Sequence, residues 1–169
     1  MTTLPRRPFR TLTTTALALA LATATASLAL AAPASADEIT PTPIDPQALQ
    51  VLDETNAARA TAGCAPLLLM PLETGVADGH ADQMAATGDF SHTGPDGSSP
   101  RSRLAAVGVR PQRTAENIAL GYDAASVVDA WMASPGHRAN ILDCSLVYVG
   151  ISERQGVGGQ YWTQVFSSL

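Results

Sequence analysis

Three histidines, two cysteines and ten arginines without a single lysine limit the chemistry that this sequence can support. The histidines, His80, His92 and His137, lie in separate segments and form no local metal-ligand motif such as His-Glu-x-x-His. His80 stands in the middle of a predicted helix, with Ala77 and Met84 on the turns before and after it. We therefore predict a packed histidine there and not a ligand. The absence of lysine excludes Schiff-base chemistry.

A serine nucleophile is not indicated either. The Gly-x-Ser-x-Gly pattern of a nucleophile elbow does not occur. Ser134 stands three residues before His137, but adjacency on one helix makes no catalytic pair without a third group that orients the imidazole. The sequence therefore favours a protein without catalytic activity, although it does not exclude an enzyme.

Residues 1–36 have the pattern of a secretory signal peptide that is cleaved after Ala36. Three arginines precede an apolar stretch from about residue 16 to 32, and Ala34-Ser35-Ala36 is a small-x-small cleavage pattern. An uncleaved membrane anchor is the alternative, although the stretch only approaches the roughly 20 apolar residues that a spanning helix needs. Arg6-Arg7 raises the twin-arginine route, but the flanking residues favour the general secretory pathway. We predict a secreted, extracellular protein with no membrane span after cleavage.

The exported part is acidic and forms one domain. Residues 37–169 carry all 15 acidic residues against seven arginines, a net charge of −8. A chain of this charge does not bind polyanions through electrostatics, which excludes nucleic acid as a partner. Three prolines make residues 37–46 an extended leader, and residues 47–169 are predicted to be a single domain and a monomer.

Both cysteines fall in the exported part. Cys64 and Cys144 are 80 residues apart, and two cysteines in an oxidising compartment more often pair than stay free. A catalytic thiol is the rival interpretation, but no local Cys-His pairing that would stabilise a thiolate is evident. We therefore predict a disulfide between them.

Helical patterns come first in the chain and strand patterns last. An apolar stripe from Pro46 to a stop at Gly63 predicts the first helix. The rest of the chain predicts helices over 72–87, 101–107 and 124–133, a helical turn over 137–142, and a hairpin of strands over 146–153 and 160–167. This order predicts an α+β fold with helices packed on a small antiparallel sheet.

Short segments in a fixed order resemble the bacterial secreted branch of the CAP superfamily, which comprises cysteine-rich secretory proteins, antigen 5 and pathogenesis-related 1 proteins. Each segment alone is a weak signal, but together they extend over most of the predicted domain. The segments are 56–59 (Asn-Ala-Ala-Arg), 90–93 (Phe-Ser-His-Thr), 115–119 (Ala-Glu-Asn-Ile-Ala), 131–142 (Trp-Met-Ala-Ser-Pro-Gly-His-Arg-Ala-Asn-Ile-Leu) and 161–166 (Tyr-Trp-Thr-Gln-Val-Phe).

The resemblance implies a three-layer αβα sandwich with an open cleft. In animal and plant members, two histidines and two glutamates line that cleft and can hold a divalent cation. His92 matches the first histidine and Glu116 the first glutamate, whereas the second glutamate falls at Ser134 and the second histidine at Tyr161. His137 lies one helical turn beyond Ser134, so its ring is expected at the same cleft.

The expected metal ligands are thus reduced to His92, Glu116 and His137, with zinc or another divalent cation as the cofactor that they would hold. The alternative is that the two histidines bind loops and that Glu116 satisfies backbone donors under the sheet, since a buried carboxylate needs partners.

Three functions remain open at this point. The first is a non-catalytic binding module for an envelope or extracellular ligand, which is a lipid, a cell-wall fragment or a protein. The second is a metal-dependent hydrolase of peptide or cell-wall bonds, with Glu116 as general base on a zinc-bound water. The third is a structural or toxin-like envelope protein with a vestigial cleft. The missing nucleophile and the reduced ligand set favour the binding module.

Overall fold

The computed structural model describes residues 44–168. The predicted signal peptide and most of the predicted leader lie outside the described residues, so both remain predictions. No helix within residues 44–168 has the length and hydropathy of a membrane span. The elements of this part are α1 (Pro46–Thr61), β1 (Leu68–Leu69), α2 (Pro71–Thr87), α3 (Pro100–Ala106), β2 (Thr114–Leu120), α4 (Val127–Ala133), α5 (Pro135–Ile141), β3 (Tyr148–Gly156) and β4 (Gly159–Ser167).

Local signals set the ends of the helices. Proline stands in the first turn of α1, α2, α3 and α5, where its missing N–H costs no helical hydrogen bond. Asp45 Oδ1 accepts a hydrogen bond from the backbone N–H of Gln47 at 2.9 Å and so caps α1. Gly88, with φ at 74°, ends α2. The first three helices therefore begin within one residue of their predicted starts, whereas α4 begins three residues later than predicted.

The four strands form one sheet in the order β1-β3-β4-β2. β3 and β4 form the predicted hairpin, and β2 pairs antiparallel with the other edge of β4. The sheet is mixed and not purely antiparallel as predicted, because β1 pairs with β3 in parallel. The sequence pattern did not indicate β2, since four consecutive residues in it are buried and the alternation typical of a half-buried strand is missing.

Helices cover both faces of the sheet. α1, α4 and α5 pack on one face in a core around Trp131, Trp162 and Phe166. α2 and α3 pack on the other face, where Val165 and Leu104 are buried together. The α+β class and the three αβα layers predicted from the sequence are therefore confirmed.

Two glycines of β3 allow α2 to lie directly on the sheet. A Cβ atom at Gly150 would stand 2.0 Å from the backbone carbonyl carbon of Glu73, and one at Gly156 would stand 2.6 Å from Cα of Ala85. No side chain can replace these hydrogens without moving the helix backbone. The close approach along β3 fixes α2 and places His80, near its middle, in the interior.

The predicted disulfide between Cys64 and Cys144 is confirmed, with the two Cα atoms 4.9 Å apart. It joins the segment after α1 to the segment after α5. Beside it, the fully buried guanidinium of Arg59 donates to backbone carbonyls, among them that of Ile141 at the end of α5 at 2.7 Å. Burial lowers the pKa of Arg59, and the charge of nearby Asp143 partly opposes this shift. These contacts hold α5, which carries His137, against α1.

Candidate functional site

Glu116 lies on the edge strand β2 and is the centre of a charged cluster. Its backbone pairs with Val165 on β4, and its side chain, only 2% exposed, points to the face that α2 covers. A carboxylate in such a place is costly unless donors surround it. Its partners therefore decide what it can do.

Each carboxylate oxygen of Glu116 has its own donor. Nδ1 of His92 lies 2.8 Å from Oε1, and Nη2 of Arg103 donates to Oε2 at 2.6 Å. The Arg103 side chain is only 12% exposed, whereas that of His92 is half exposed. The strong, well-shielded contact is thus the one to Arg103.

Arg103 also fixes the loop that carries His92. Its Nη1 donates to the backbone carbonyls of His92 at 3.2 Å and Ser98 at 3.1 Å. One guanidinium therefore joins β2, α3 and the loop before α3. The sequence reasoning did not identify Arg103, since a separation of 13 residues from Glu116 follows no local pattern.

His80 completes the cluster from beneath. It is fully buried, its Nε2 lies 2.9 Å from the carbonyl oxygen of Ser91, and the same nitrogen is 3.8 Å from Oε1 of Glu116. Burial lowers the pKa of His80, with the charge of Glu116 opposing the shift. A neutral ring that donates from Nε2 fits this surrounding, and its Nδ1 has no partner within residues 44–168. The predicted packed histidine is confirmed, but its contact with the cluster was not foreseen.

An open cleft of about 350 Å³ lies beside the cluster, between the edge of β2 and the start of α3. His92 presents its exposed half there. The hydroxyl oxygen of Thr114 is buried and has no partner in the part of the chain described. The cleft is lined by His92, Ser99, Pro100, Arg101, Thr114, Ala115 and Glu116.

The neighbouring residue of β2 points to the opposite face. Asn117 is fully buried and donates to Oε1 of Gln164 at 3.1 Å and to the backbone carbonyl of His137 at 3.3 Å. Asn140 of α5 donates to Oδ1 of Asn117 at 2.9 Å and to the backbone carbonyl of Glu116 at 3.1 Å. This amide network positions α5 on the edge of β2.

His137, carried by α5, therefore lies on the face of the sheet opposite to the Glu116 side chain. It is half-buried, and burial lowers its pKa, with the positive charge of protonated His92 as the second cause. His137 does not line the cleft itself.

Ser134 and Tyr161, both expected at the cleft, do not line it. Ser134 is the junction between α4 and α5. Tyr161 pairs with Leu120, four residues along β2 from Glu116, and its hydroxyl donates to the carbonyl of Val157 at 2.6 Å. The register of β2 on β4 therefore places the tyrosine away from the charged cluster.

The arrangement does not fit a three-ligand metal site. Within residues 44–168 no group of three or more His, Cys, Asp or Glu side chains is placed to hold a metal ion. Of the expected ligands His92, Glu116 and His137, the glutamate is occupied by the guanidinium of Arg103, and His92 directs Nδ1 at this carboxylate. Only the outer nitrogen of His92 and the ring of His137 remain.

A solved structure of a bacterial protein has the same fold. The described domain superposes on an extracellular protein containing an SCP domain from Bacillus anthracis, with a TM-score of 0.66 and 28% identity over 76% of this chain and 45% of that one.

Sequence comparison gives the same result. The chain is 36% identical over 118 residues to the uncharacterized membrane protein YlbC of Bacillus subtilis, covering 69% of this chain and 33% of that protein. It is 32% identical over 127 residues to the uncharacterized protein YkwD of the same organism, covering 75% and 49%. It thus spans a third to a half of the length of these curated relatives. The model of the cysteine-rich secretory protein family, CAP, matches residues 52–166, and the chain therefore belongs to the CAP family.

Proposed function

We propose that this protein is a secreted, non-catalytic binding module whose ligand site is the cleft beside Glu116. The observation that carries the proposal is the burial of the Glu116 carboxylate, which is only 2% exposed and accepts hydrogen bonds from Arg103 and His92. A general base must lie within hydrogen-bond reach of the proton that it takes. The Glu116 side chain is almost inaccessible to solvent and is held by a permanently charged guanidinium, so it is poorly placed to reach a bound water. Glu116 is an anchor that shapes the cleft.

His92 is the group that the cleft offers to a ligand. Because its Nδ1 faces Glu116, its Nε2 is directed outward on the exposed half of the ring. Ser99 and Thr114 line the same space, but the hydroxyl oxygen of Thr114 is buried and that of Ser99 caps α3. A volume of about 350 Å³ is at the lower end of the range for ligand sites. This small volume favours a compact fragment, such as a piece of cell wall, over a long acyl chain, and the exposed half of the His92 ring is the polar group that it would contact.

Export is part of the proposal. The arginine-apolar-small pattern of residues 1–36 supports it, as does the likeness to an extracellular SCP-domain protein. One relative is described as a membrane protein, so an anchored form is the alternative. Recovery of the chain from culture medium with Asp37 as its first residue is the expected result. A cell-bound chain that keeps residues 1–36 would contradict it.

The binding proposal is tested with soluble muropeptides from digested cell wall as the probe. Calorimetry should detect binding to the mature protein and at least a tenfold weaker Kd for His92→Ala. The control is Gln155→Ala, an exposed residue away from the cleft, which should leave the Kd unchanged. Equal binding by the triple alanine variant of His92, Glu116 and His137, with its fold intact by circular dichroism, would overturn the proposal and favour a vestigial cleft.

A metal-dependent hydrolase is the second candidate. One contact favours it, since a carboxylate 2.8 Å behind an imidazole is the usual support of a metal-binding histidine. The set of only two free imidazoles, His92 and His137, counts against it. Elemental analysis of the purified protein decides between the hydrolase and the binding module. Less than one tenth of an equivalent of zinc, unchanged after zinc addition and desalting, would eliminate the hydrolase, whereas turnover lost in His92→Ala would eliminate the binding module.

A further inference from the structure

A second groove lies at the opposite edge of the sheet from the cleft. β1 pairs only with Tyr148 and Val149 of β3, although β3 continues to Gly156. No strand of residues 44–168 covers the remaining edge of β3. A groove of about 490 Å³, larger than the cleft, opens along this edge between α1 and α2.

The backbone of β3 faces this groove with hydrogen-bonding groups. The N–H groups of Leu68 and Met70 donate to the carbonyls of Val147 and Val149, each at 2.9 Å. The N–H and C=O groups of successive residues point alternately to the two edges of a strand. The backbone groups of Ile151, two residues after Val149, therefore point to the same edge of β3 as the carbonyl that β1 binds. They continue the row that β1 uses. The carbonyl of Glu153 already accepts from Nη1 of Arg154 at 2.7 Å, so the groups open to an added segment are those of Ile151 and the N–H of Glu153.

The two walls of the groove differ in character. The wall from α1 is mainly apolar, with Ile44, which is 54% exposed, and Ala48 beside Ile151. The wall from α2 is small and polar, and there Asp78 accepts a hydrogen bond from Ser152 at 2.7 Å. The groove is lined by Ile44, Asp45, Ala48, Leu69, Pro71, Thr74, Gly75, Asp78, Ile151, Ser152 and Arg154. An added strand would direct alternate side chains to the two walls.

The charged residues that line the groove determine which peptide could bind there as an added strand. Asp78 forms an ion pair with Arg154, so these two charges compensate each other. Asp45 also lines the groove, and within residues 44–168 its Oδ1 accepts only from the neutral backbone N–H of Gln47. The groove therefore has an excess of negative charge and complements a basic segment.

We propose that this groove binds an extended peptide of another polypeptide by strand addition to β3, with apolar residues at alternate positions and basic residues between them. Main-chain hydrogen bonds to the free edge supply the affinity, and the two walls select the side-chain pattern. This site is independent of the proposed function of the cleft, because the two lie at opposite edges of the sheet.

Two glycines of α2 provide a matched pair of variants. Gly75 lines the groove and Gly79, one helical turn further, does not. Both are exposed, and a Cβ at either position meets no atom within 4 Å. Gly75→Phe therefore adds a large side chain at the groove from a Cβ that meets no neighbour, and Gly79→Phe is the control for its effect on the helix.

The probe is a fluorescein-labelled peptide of alternating valine and lysine, added to the full mature protein and followed by fluorescence anisotropy. We expect Gly75→Phe to weaken its binding at least tenfold, with Gly79→Phe and His92→Ala unchanged. Two peptides should be made, each with N-methyl groups on every second backbone nitrogen, one starting at an odd and the other at an even position. One of the two should lose binding, because its methyl groups replace the N–H hydrogens that bond to β3. A peptide with glutamate in place of lysine should bind more weakly.

Absence of binding at millimolar peptide, or equal binding to the two glycine variants, would overturn the proposal. Binding that is measurable only after removal of residues 37–43 would also overturn it, because the occupant would then be this chain's own segment. A loss of binding in His92→Ala would place the peptide in the cleft and reject the groove.

Discussion

Replacement of Glu116 by glutamine tests whether the carboxylate is the anchor of the site. The substitution keeps the shape and one acceptor oxygen but removes the negative charge. Arg103, whose side chain is only 12% exposed, then keeps its positive charge without a counterion in the interior. We expect Glu116→Gln to destabilise the fold substantially.

The size of the expected stability loss follows from the exposure of Arg103 and His92, the two partners of Glu116. Removing one member of a buried ion pair costs about 3–5 kcal/mol. Arg103 retains the carbonyl oxygens of His92 and Ser98 as acceptors, and His92 is half exposed, so the low end applies. We therefore expect the free energy of unfolding to fall by about 3 kcal/mol and the melting temperature by about 10 °C.

Urea unfolding monitored by tryptophan fluorescence measures this loss, because Trp131 and Trp162 are both fully buried. Arg113→Gln is the control, since Arg113 is 63% exposed in its ion pair with Asp143 and its removal should cost under about 1 kcal/mol. The double variant of Glu116→Gln with Arg103→Met should lose less than the sum of the two single variants. The reasoning is refuted if Glu116→Gln costs no more than Arg113→Gln, or if the single losses add.

Three further outcomes follow from the structure. Replacement of both Cys64 and Cys144 by serine should lower the free energy of unfolding by about 2–4 kcal/mol, measured in urea, while muropeptide binding stays unchanged. Burial lowers the pKa of His80 below 6.5, so below this pH the unfolded chain takes up a proton that the native ring does not. The free energy of unfolding should therefore fall as the pH drops below 6.5. The decline in the urea midpoint from pH 7.5 to 5.5 should be smaller for His80→Gln than for the unchanged protein. Gly150→Ala should lower the free energy of unfolding by about 3 kcal/mol or more through overpacking, whereas Gly79→Ala should raise it by about 0.4–1 kcal/mol. Equal melting temperatures of the two variants would contradict the packing of α2 on β3.

Features that depend on neighbouring residues could be predicted from the sequence. Proline in the first turn and glycine after the last turn restrict the backbone locally, and the starts of α1, α2 and α3 were accordingly predicted within one residue. The β3–β4 hairpin has a local turn and was also predicted. The disulfide could be predicted because a chain with two cysteines and a predicted signal peptide has a single possible intramolecular pairing in an oxidising compartment.

The composition of the site was predicted only in part. The resemblance placed His92 and Glu116 together, and their side chains are in contact. It also placed Tyr161 and Ser134 at the cleft, and neither lines it. A family motif aligns residues along the chain, but the contact of a side chain depends on the register of its strand and on the face to which it points.

Tertiary structure alone decided the partners of the buried carboxylate. His80, Arg103 and Glu116 belong to α2, α3 and β2 and meet because those elements pack on one face of the sheet. The continuous burial of β2 removed the alternation that would have indicated a strand, so neither its pairing nor the direction of Glu116 could be inferred. Backbone preferences act over a few residues, whereas these contacts join positions 13 and 36 residues apart. Such pairs are selected by close packing and by the cost of burying an unpaired charge, and both are fixed only in the assembled fold.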